Sequence, residues 1–218
     1  ALLLNTAAGS TAVGSGALGA NTSGAGNTAV GYQALSQNTI GFDNTAIGYN
    51  ALANNNKGSG SAIRYNTAVG AYALTANTSG EFNTAVGQNA MVSNTSGNYN
   101  TAIGNQSLFY NTTGQQNTAS GVYALLNNAT GSDNVAIGMS ALQLNTSGNY
   151  NTAVGLRALY LNTSTNNYNS AFGYEALKTN GQPGAAGGEY NVAVGYQALD
   201  TNTTGSFNTA VGSLALDA

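Results

Sequence analysis

One apolar phrase returns along this chain at a fixed spacing: Ala, then Val or Ile, then Gly, and four residues further on Leu, with Asn and Thr filling the intervals. Asn151-Thr152-Ala153-Val154-Gly155-Leu156-Arg157-Ala158-Leu159 states it fully. Copies begin at Ser10, Asn27, Asn44, Asn66, Asn83, Asn100, Asn117, Asn134, Asn151, Asn169, Asn191 and Asn208. Most starts are 17 residues apart, two steps are 22 and one is 18. The full unit reads Asn-Thr-Ala-Val-Gly, two variable residues, Ala-Leu, two more, Asn-Thr-Ser-Gly, and a last variable pair. Self-similarity at such a period marks a solenoid, in which each unit touches mainly its neighbours. The whole chain, 1–218, therefore reads as a single repeat domain.

Seventeen residues broken by Gly at two places and dense in Asn and Thr cannot hold a capped helix, and helical repeats run to about 33 residues. The pattern predicts an all-β parallel β-roll. Asn-Thr-Ala-Val-Gly is a short strand with β-branched residues on one parity and Ala on the other. Gly bends the chain, Ala-Leu opens a second short side, and Asn-Thr-Ser-Gly closes the loop with turn chemistry. Like positions then stack at roughly 4.8 Å, so twelve coils rise on the order of 58 Å.

The columns follow. The fourth place holds Val13, Val30, Ile47, Val69, Val86, Ile103, Val154, Val194 and Val211 among others, with Ser120 as the polar exception; the ninth is Leu, or Met91, throughout. Both columns are expected to fill the interior, each Leu contributing roughly 1.5–3 kcal/mol when buried. Asn at the first place, and again at Asn21, Asn38, Asn77, Asn94, Asn111, Asn145 and Asn202, is expected to form hydrogen-bonded ladders from coil to coil. Such a thin core is marginal by itself. The Ala columns offer a remedy: a row of small residues lets a second surface approach closely, so association is expected.

Composition narrows the function. Charged residues are 5% of the chain, with 4 basic against 7 acidic and a net charge of −3. Four scattered cations make neither a nucleic-acid footprint nor a polybasic membrane patch. Cys and His are absent, which removes disulfides, thiolate sites, the commonest metal ligand and the usual neutral-pH base. No cofactor or metal is expected. No apolar run is long enough to span a bilayer as a helix, and Ala1-Leu2-Leu3-Leu4 lacks the features of a signal peptide. The chain starts in mid-pattern without Met and reads as a piece of something longer. Among the carboxylates, Asp43 and Asp133 share a place in the unit but lie several coils apart, too far for a glycosidase pair. The chain therefore reads as non-enzymatic, and the Gly-rich Asp repeat of calcium-bound rolls is missing. Asn-x-Ser/Thr triplets such as Asn21-Thr22-Ser23 matter only in a glycosylating host.

Two interruptions carry the remaining candidates. The 22-residue steps insert five residues at one phase, within 54–65 and 178–190. Insertions at one phase protrude from one face of a solenoid. Lys57, Arg64, Tyr65, Lys178, Glu189 and Tyr190 are the candidate ligand-binding residues there. The bland reading, loop length tolerated in solvent, is favoured over it. An aromatic column, Tyr65, Phe82, Tyr99, Tyr150, Tyr168, Tyr190 and Phe207, precedes the Asn. It is expected to pack between chains rather than to stack on glycans. Tyr32, Tyr49, Tyr174 and Tyr196, just after the Gly, are expected at an exposed rim.

Asn134-Val135-Ala136-Ile137-Gly138 and Asn191-Val192-Ala193-Val194-Gly195 resemble the Asn/Ser-Val-Ala-Ile-Gly repeat of YadA-like trimeric autotransporter adhesin heads. The longer phrase, Asn83-Thr84-Ala85-Val86-Gly87 through Asn94-Thr95-Ser96-Gly97, is similar to repeats of phage-type tail-fibre proteins. The resemblance covers the chain from about Ser10 onward. It implies a left-handed parallel β-roll of three identical chains, part of an extracellular cell-surface or virion fibre. It further implies surface attachment or host recognition through a glycan or protein receptor. The period here is longer than the adhesin heads use, and no stalk, anchor or chaperone segment is present in the sequence. An ice-binding solenoid is the alternative, weakened because the unit offers one regular Thr per strand rather than Thr-x-Thr; a carbohydrate-active tailspike is weaker still.

Overall fold

A computed structural model describes residues 8–56, 65–162, 166–181 and 188–216. Among these the chain is a parallel β-solenoid without a helix. Twelve three-residue strands, from Thr11–Val13 and Thr28–Val30 through Val192–Val194 and Thr209–Val211, form one parallel sheet in chain order. Each pairs in register with the same residues of the next copy, as Thr84↔Thr101, Ala85↔Ala102 and Val86↔Ile103. Twelve rungs enclose eleven complete coils of about 4.8 Å rise. A second sheet, Leu161–Asn162, Thr179–Asn180 and Thr201–Asn202, runs along only the C-terminal coils.

The ladder does not stop where the strands do. Gln33 N donates to Ser15 O at 2.9 Å, Leu35 N to Ala51 O at 3.0 Å and Asp43 N to Ala25 O at 3.0 Å, so coils are joined around most of the perimeter. The expected second side is not a strand. It is a chain of successive β-turns, closed by Ala34 N to Gly31 O, Ser36 N to Gln33 O and Asn38 N to Leu35 O. Their third residues, Gln33 and Leu35, have φ of 53° and 52°, the left-handed value such turns require.

That backbone settles the core. The ninth-place Leu or Met has φ between 49° and 54° in every copy. Neighbours in an extended strand face opposite ways; here the left-handed residue lets Ala and Leu side by side both point inward. Left-handed backbone costs about 1–2 kcal/mol per residue and a fully buried Leu returns about 1.5–3, so burial offsets the strain. Leu18 through Leu177 and Met91 are fully buried at this place.

Two expectations are corrected. Ala, not Val or Ile, is the inward residue of each strand: Ala29, Ala85, Ala102 and Ala153 are 0% exposed, whereas Ile137 is 43% exposed. Asn at the first place points inward, and two residues on along a strand the side chain must share its face. Third-place Ala fits beside Leu in so narrow a coil, and the larger β-branched residue is turned out. Consequently the Ala columns are interior and offer no surface to another chain.

The asparagine ladders stand as expected, and they form the polar half of the core. At the twelfth place Asn38 Nδ2 donates to Asn21 Oδ1 at 3.2 Å, Asn111 to Asn94 at 2.9 Å and Asn202 to Asn180 at 2.8 Å. This column continues past both insertions, Asn77 donating to Asn55 across 22 residues. At the first place each Oδ1 accepts the backbone N–H of the next copy's Asn, as Asn117 N to Asn100 Oδ1 at 3.0 Å. The two columns converge on one carbonyl per coil: Gly114 O accepts from Asn111 at 3.1 Å and from Asn100 at 2.9 Å. Asn at both places is fully buried through the middle of the stack.

Two glycines per coil are fixed by this closeness. Gly104 has φ 130°, and a Cβ there would lie 2.6 Å from Gly121 O. A Cβ on Gly80 would lie 2.5 Å from both Asn77 Oδ1 and Gly97 O.

Candidate functional site

With the core filled by Asn, Ala and Leu, what remains for function is the outer surface, which carries three organised features. The first is the outer face of the long sheet. Val13, Ile47, Val86, Ile103, Ile137, Phe172, Val194 and Val211 project from it, from 36% exposed at Val86 to 70% at Val211. Thr at the second place stands beside them, half-buried on most rungs. Ser120 alone interrupts the apolar column.

The second is the aromatic column. Its residues have left-handed backbone (Tyr99 φ 58°, Tyr168 φ 59°), which turns the ring outward. Tyr65, Phe82 and Tyr99 stack at 5.1 and 4.9 Å; Tyr150, Tyr168, Tyr190 and Phe207 stack at 4.9, 4.8 and 5.0 Å with planes within 6°. The coil rise sets this spacing. Neighbouring rings cover one another's faces, so a sugar ring meets only ring edges and hydroxyls. The rim tyrosines are exposed as expected, with Tyr32–Tyr49 and Tyr174–Tyr196 stacked at 5.1 and 5.3 Å.

The third is a charge cluster that the sequence reading did not assemble. Arg157, Glu175 and Gln197 hold the seventh place of three successive copies, and Lys178 and Asp200 hold the tenth. Glu175 is 5% exposed. It receives Gln197 Nε2 at 3.0 Å, Lys178 Nζ at 3.2 Å and Arg157 Nη1 at 3.4 Å. Lys178 also reaches Asp200 Oδ1 at 3.4 Å. Burial opposes ionisation of Glu175, but the bonds from Gln197, Lys178 and Arg157 prevail and hold its carboxyl below the ordinary 4.5. Burial likewise opposes the charge on Lys178, and Glu175 and Asp200 outweigh it, raising the amine above 10.5. A carboxylate kept ionised and a lysine kept protonated between two carboxylates are poorly placed for proton transfer. The arrangement braces three coils.

The insertion candidates are not gathered into one site. Lys57 and Arg64 lie outside the described residues. Tyr65 and Tyr190 belong to the aromatic column, many coils apart. Lys178 lies in the charge cluster, and Glu189 Oε1 accepts from Asn167 Nδ2 at 3.3 Å beside the aromatic column. The one-residue step between Asn151 and Asn169 was given no role; there Asn166 takes the place of the glycine, its carbonyl accepting from Asn151 and Asn162 while its amide reaches Asn180 O at 2.8 Å. The triplet asparagines Asn21, Asn77, Asn94, Asn111 and Asn145 are fully buried in the ladder, out of reach of any glycosylating enzyme in the folded coil.

Among the described residues no group of three or more metal-ligating acids is found, and no helix is long and apolar enough to cross a membrane. Comparison with protein-family models, characterised proteins and solved structures found no match.

Proposed function

We propose that this chain is a structural and adhesive segment of an extracellular fibre, built as a left-handed homotrimer and presenting a surface for attachment or host recognition. The observation that carries this reading is the Val/Ile column exposed along the outer sheet. A contiguous apolar stripe of that length marks an interface. Its rungs repeat at about 4.8 Å, and a second copy of the same chain matches that period rung for rung. Cyclic closure then protects the stripe without leaving an open edge. The handedness, the number three, the extracellular setting and the attachment role come from the resemblance to YadA-like heads and tail-fibre repeats. The near-absence of charge and the hydrogen-bonded interior suit a stiff spacer. Sedimentation equilibrium of the chain at micromolar concentration tests it: a trimer mass is expected, and a clean monomer ends the reading.

A second reading gains from the corrected strand parity. Thr and Val or Ile, not Thr alone, stand outward side by side on the rungs of one sheet, a regular array of hydroxyls and methyls of the kind an ice-binding face needs. Thermal hysteresis decides it: freezing-point depression by a monomeric chain would replace the fibre reading, and none at high concentration would remove the alternative.

A further inference from the structure

Twelve copies of one unit serve as an internal alignment, and local departures from it stand out. At the sixth, seventh, tenth and eleventh places the coils beginning at Asn27, Asn44 and Asn83 carry mostly Gln, Asn, Ser and Tyr. In the four coils beginning at Asn100 to Asn151 the same places turn apolar, with Tyr110, Val122, Tyr123, Met139 and Leu156. Tyr110 is 52% exposed, Met139 49%, Val122 38% and Tyr123 37%. They are contiguous. Ser140 N donates to Val122 O at 2.9 Å and Arg157 N to Met139 O at 3.1 Å, which sets the sixth places directly over one another.

The patch has edges. Gln88 and Asn89 bound it on one side and the Arg157–Glu175–Lys178 cluster on the other. In the same stretch the aromatic column lapses to Gln116 and Asp133, and the outer-sheet column to Ser120. Apolar surface has moved from one side of the coil to another for four rungs only. A second copy would be matched by a stripe running the whole stack, not by this bounded face. At its border the Arg157 side chain is 53% exposed, with its guanidinium carbon 5.8 Å from the Tyr160 ring centroid and Nη1 3.4 Å from Glu175. A guanidinium has five N–H donors, and a fork supported from behind by a ring is set to receive a carboxylate.

We propose that this face docks a protein segment presenting apolar side chains next to a carboxylate. A bounded apolar patch with a polar rim marks such a site, and Tyr, Met and Arg are the residues that interface centres favour. Met139 adapts its shape to whatever apolar side chain arrives. The inference stands whether or not the chain trimerises.

The test uses the full chain and two fluorescently labelled, end-blocked peptides, Leu-Phe-Leu-Glu and Leu-Phe-Leu-Gln, followed by anisotropy. The Glu peptide binds more tightly. Val122→Ser with Met139→Ser weakens both peptides about tenfold, as loss of the apolar contact requires. Arg157→Gln weakens the Glu peptide alone, and Phe82→Ser, on the other side of the coil, changes neither. Circular dichroism confirms that each variant keeps the fold; an Arg157→Lys variant, which retains charge but loses the fork, replaces Arg157→Gln if that one unfolds. Absence of peptide binding, or binding indifferent to the patch substitutions, overturns the proposal. So does a fall in sedimentation mass on substituting Val122 and Met139, which would assign the face to a second copy. Patch-dependent binding to phosphatidylserine vesicles without peptide binding would overturn it in favour of a membrane.

Discussion

The stack from Asn83 to Asn145 and the coils from Asn151 to Asn208 use one unit in two ways. In the first the period is 17 without exception and the only carboxylates are Asp133, outside the core, and none in the ladder. Coil stands on coil through Asn, Ala and Leu alone. In the second the steps are 18, 22 and 17, an extra three-stranded sheet appears, and Glu175 is buried among Arg157, Lys178, Gln197 and Asp200. The asparagine columns pass through both without a break, Asn180 donating to Asn162 at 2.9 Å across the 18-residue step. Insertion is thus tolerated at one phase, between the two Asn columns, where added residues leave the ladders intact. Charge and extra strand pairing are found where the chain departs from its period.

The largest effect is expected in the regular stack. Gly104→Val places a β-branched side chain at φ 130° and a Cβ 2.6 Å from the Gly121 carbonyl, with backbone rather than a flexible side chain in the way. Coil separation must open locally, and a loss of more than about 4 kcal/mol is expected, beyond the range of ordinary substitutions. Far-UV circular dichroism during urea unfolding measures it. A mild variant would mean that the coils are less closely spaced than the ladder requires.

Next comes Asn117→Ala. It deletes the acceptor of Asn134 N at 3.1 Å and of Asn134 Nδ2, and removes donors to Asn100 Oδ1 and Gly131 O. Buried polar groups left unpaired cost about 1–3 kcal/mol each, so about 3 kcal/mol or more is expected. The comparison sharpens with Ser107→Ala, which restores the prevailing residue at a buried place where Ser Oγ bonds only Gly104 O at 3.0 Å. That change should move the urea midpoint very little.

Much of this was legible. Period, coil, Leu column, asparagine ladders and the phase of the insertions all follow from counting. The parity of the strand was not read, because three residues between Asn and Gly fit either face and the bulkier Val suggests burial. The signal was present: an inward Asn at the first place forces Ala inward at the third. That Ala and Leu could both face in was hidden, since nothing in Leu encodes a left-handed backbone. The charge cluster was in reach, for Arg157, Glu175 and Gln197 share one place and Lys178 and Asp200 another. It was missed because the insertions, not the columns, were searched for charge.

Acid should separate the two regions. Glu175 has a folded pKa below its ordinary 4.5, so its stabilisation is present above 4.5 and is lost as pH falls through the lowered folded value. Lys178 has a folded pKa above 10.5, so its contribution is present below 10.5 and is lost as pH rises through the raised value. The C-terminal coils are therefore most stable between about 4.5 and 10.5, while the stretch 83–131, without a titrating core group, is level across that window. Hydrogen exchange at pH 7 and pH 3 reads both at once: protection of 157–202 should fall first. Glu175→Gln should abolish the difference. Equal loss in both stretches would show that the brace is incidental.

The smallest effect concerns the outside of the coil. Tyr168 stacks between Tyr150 at 4.9 Å and Tyr190 at 4.8 Å, yet it is 46% exposed. Tyr168→Ser breaks both pairs, each worth about 0.5–1.5 kcal/mol when well packed and less with edges in water. About 1 kcal/mol is expected, shown by a small shift in the thermal midpoint. Gln116→Tyr in the regular stack is the converse, extending the run that ends at Tyr99, and should stabilise by a similar or smaller amount. If Tyr168→Ser instead costs several kcal/mol only at concentrations where the chain is associated, the rings are covered by a neighbouring copy, and the column belongs to the fibre's interior rather than to its surface.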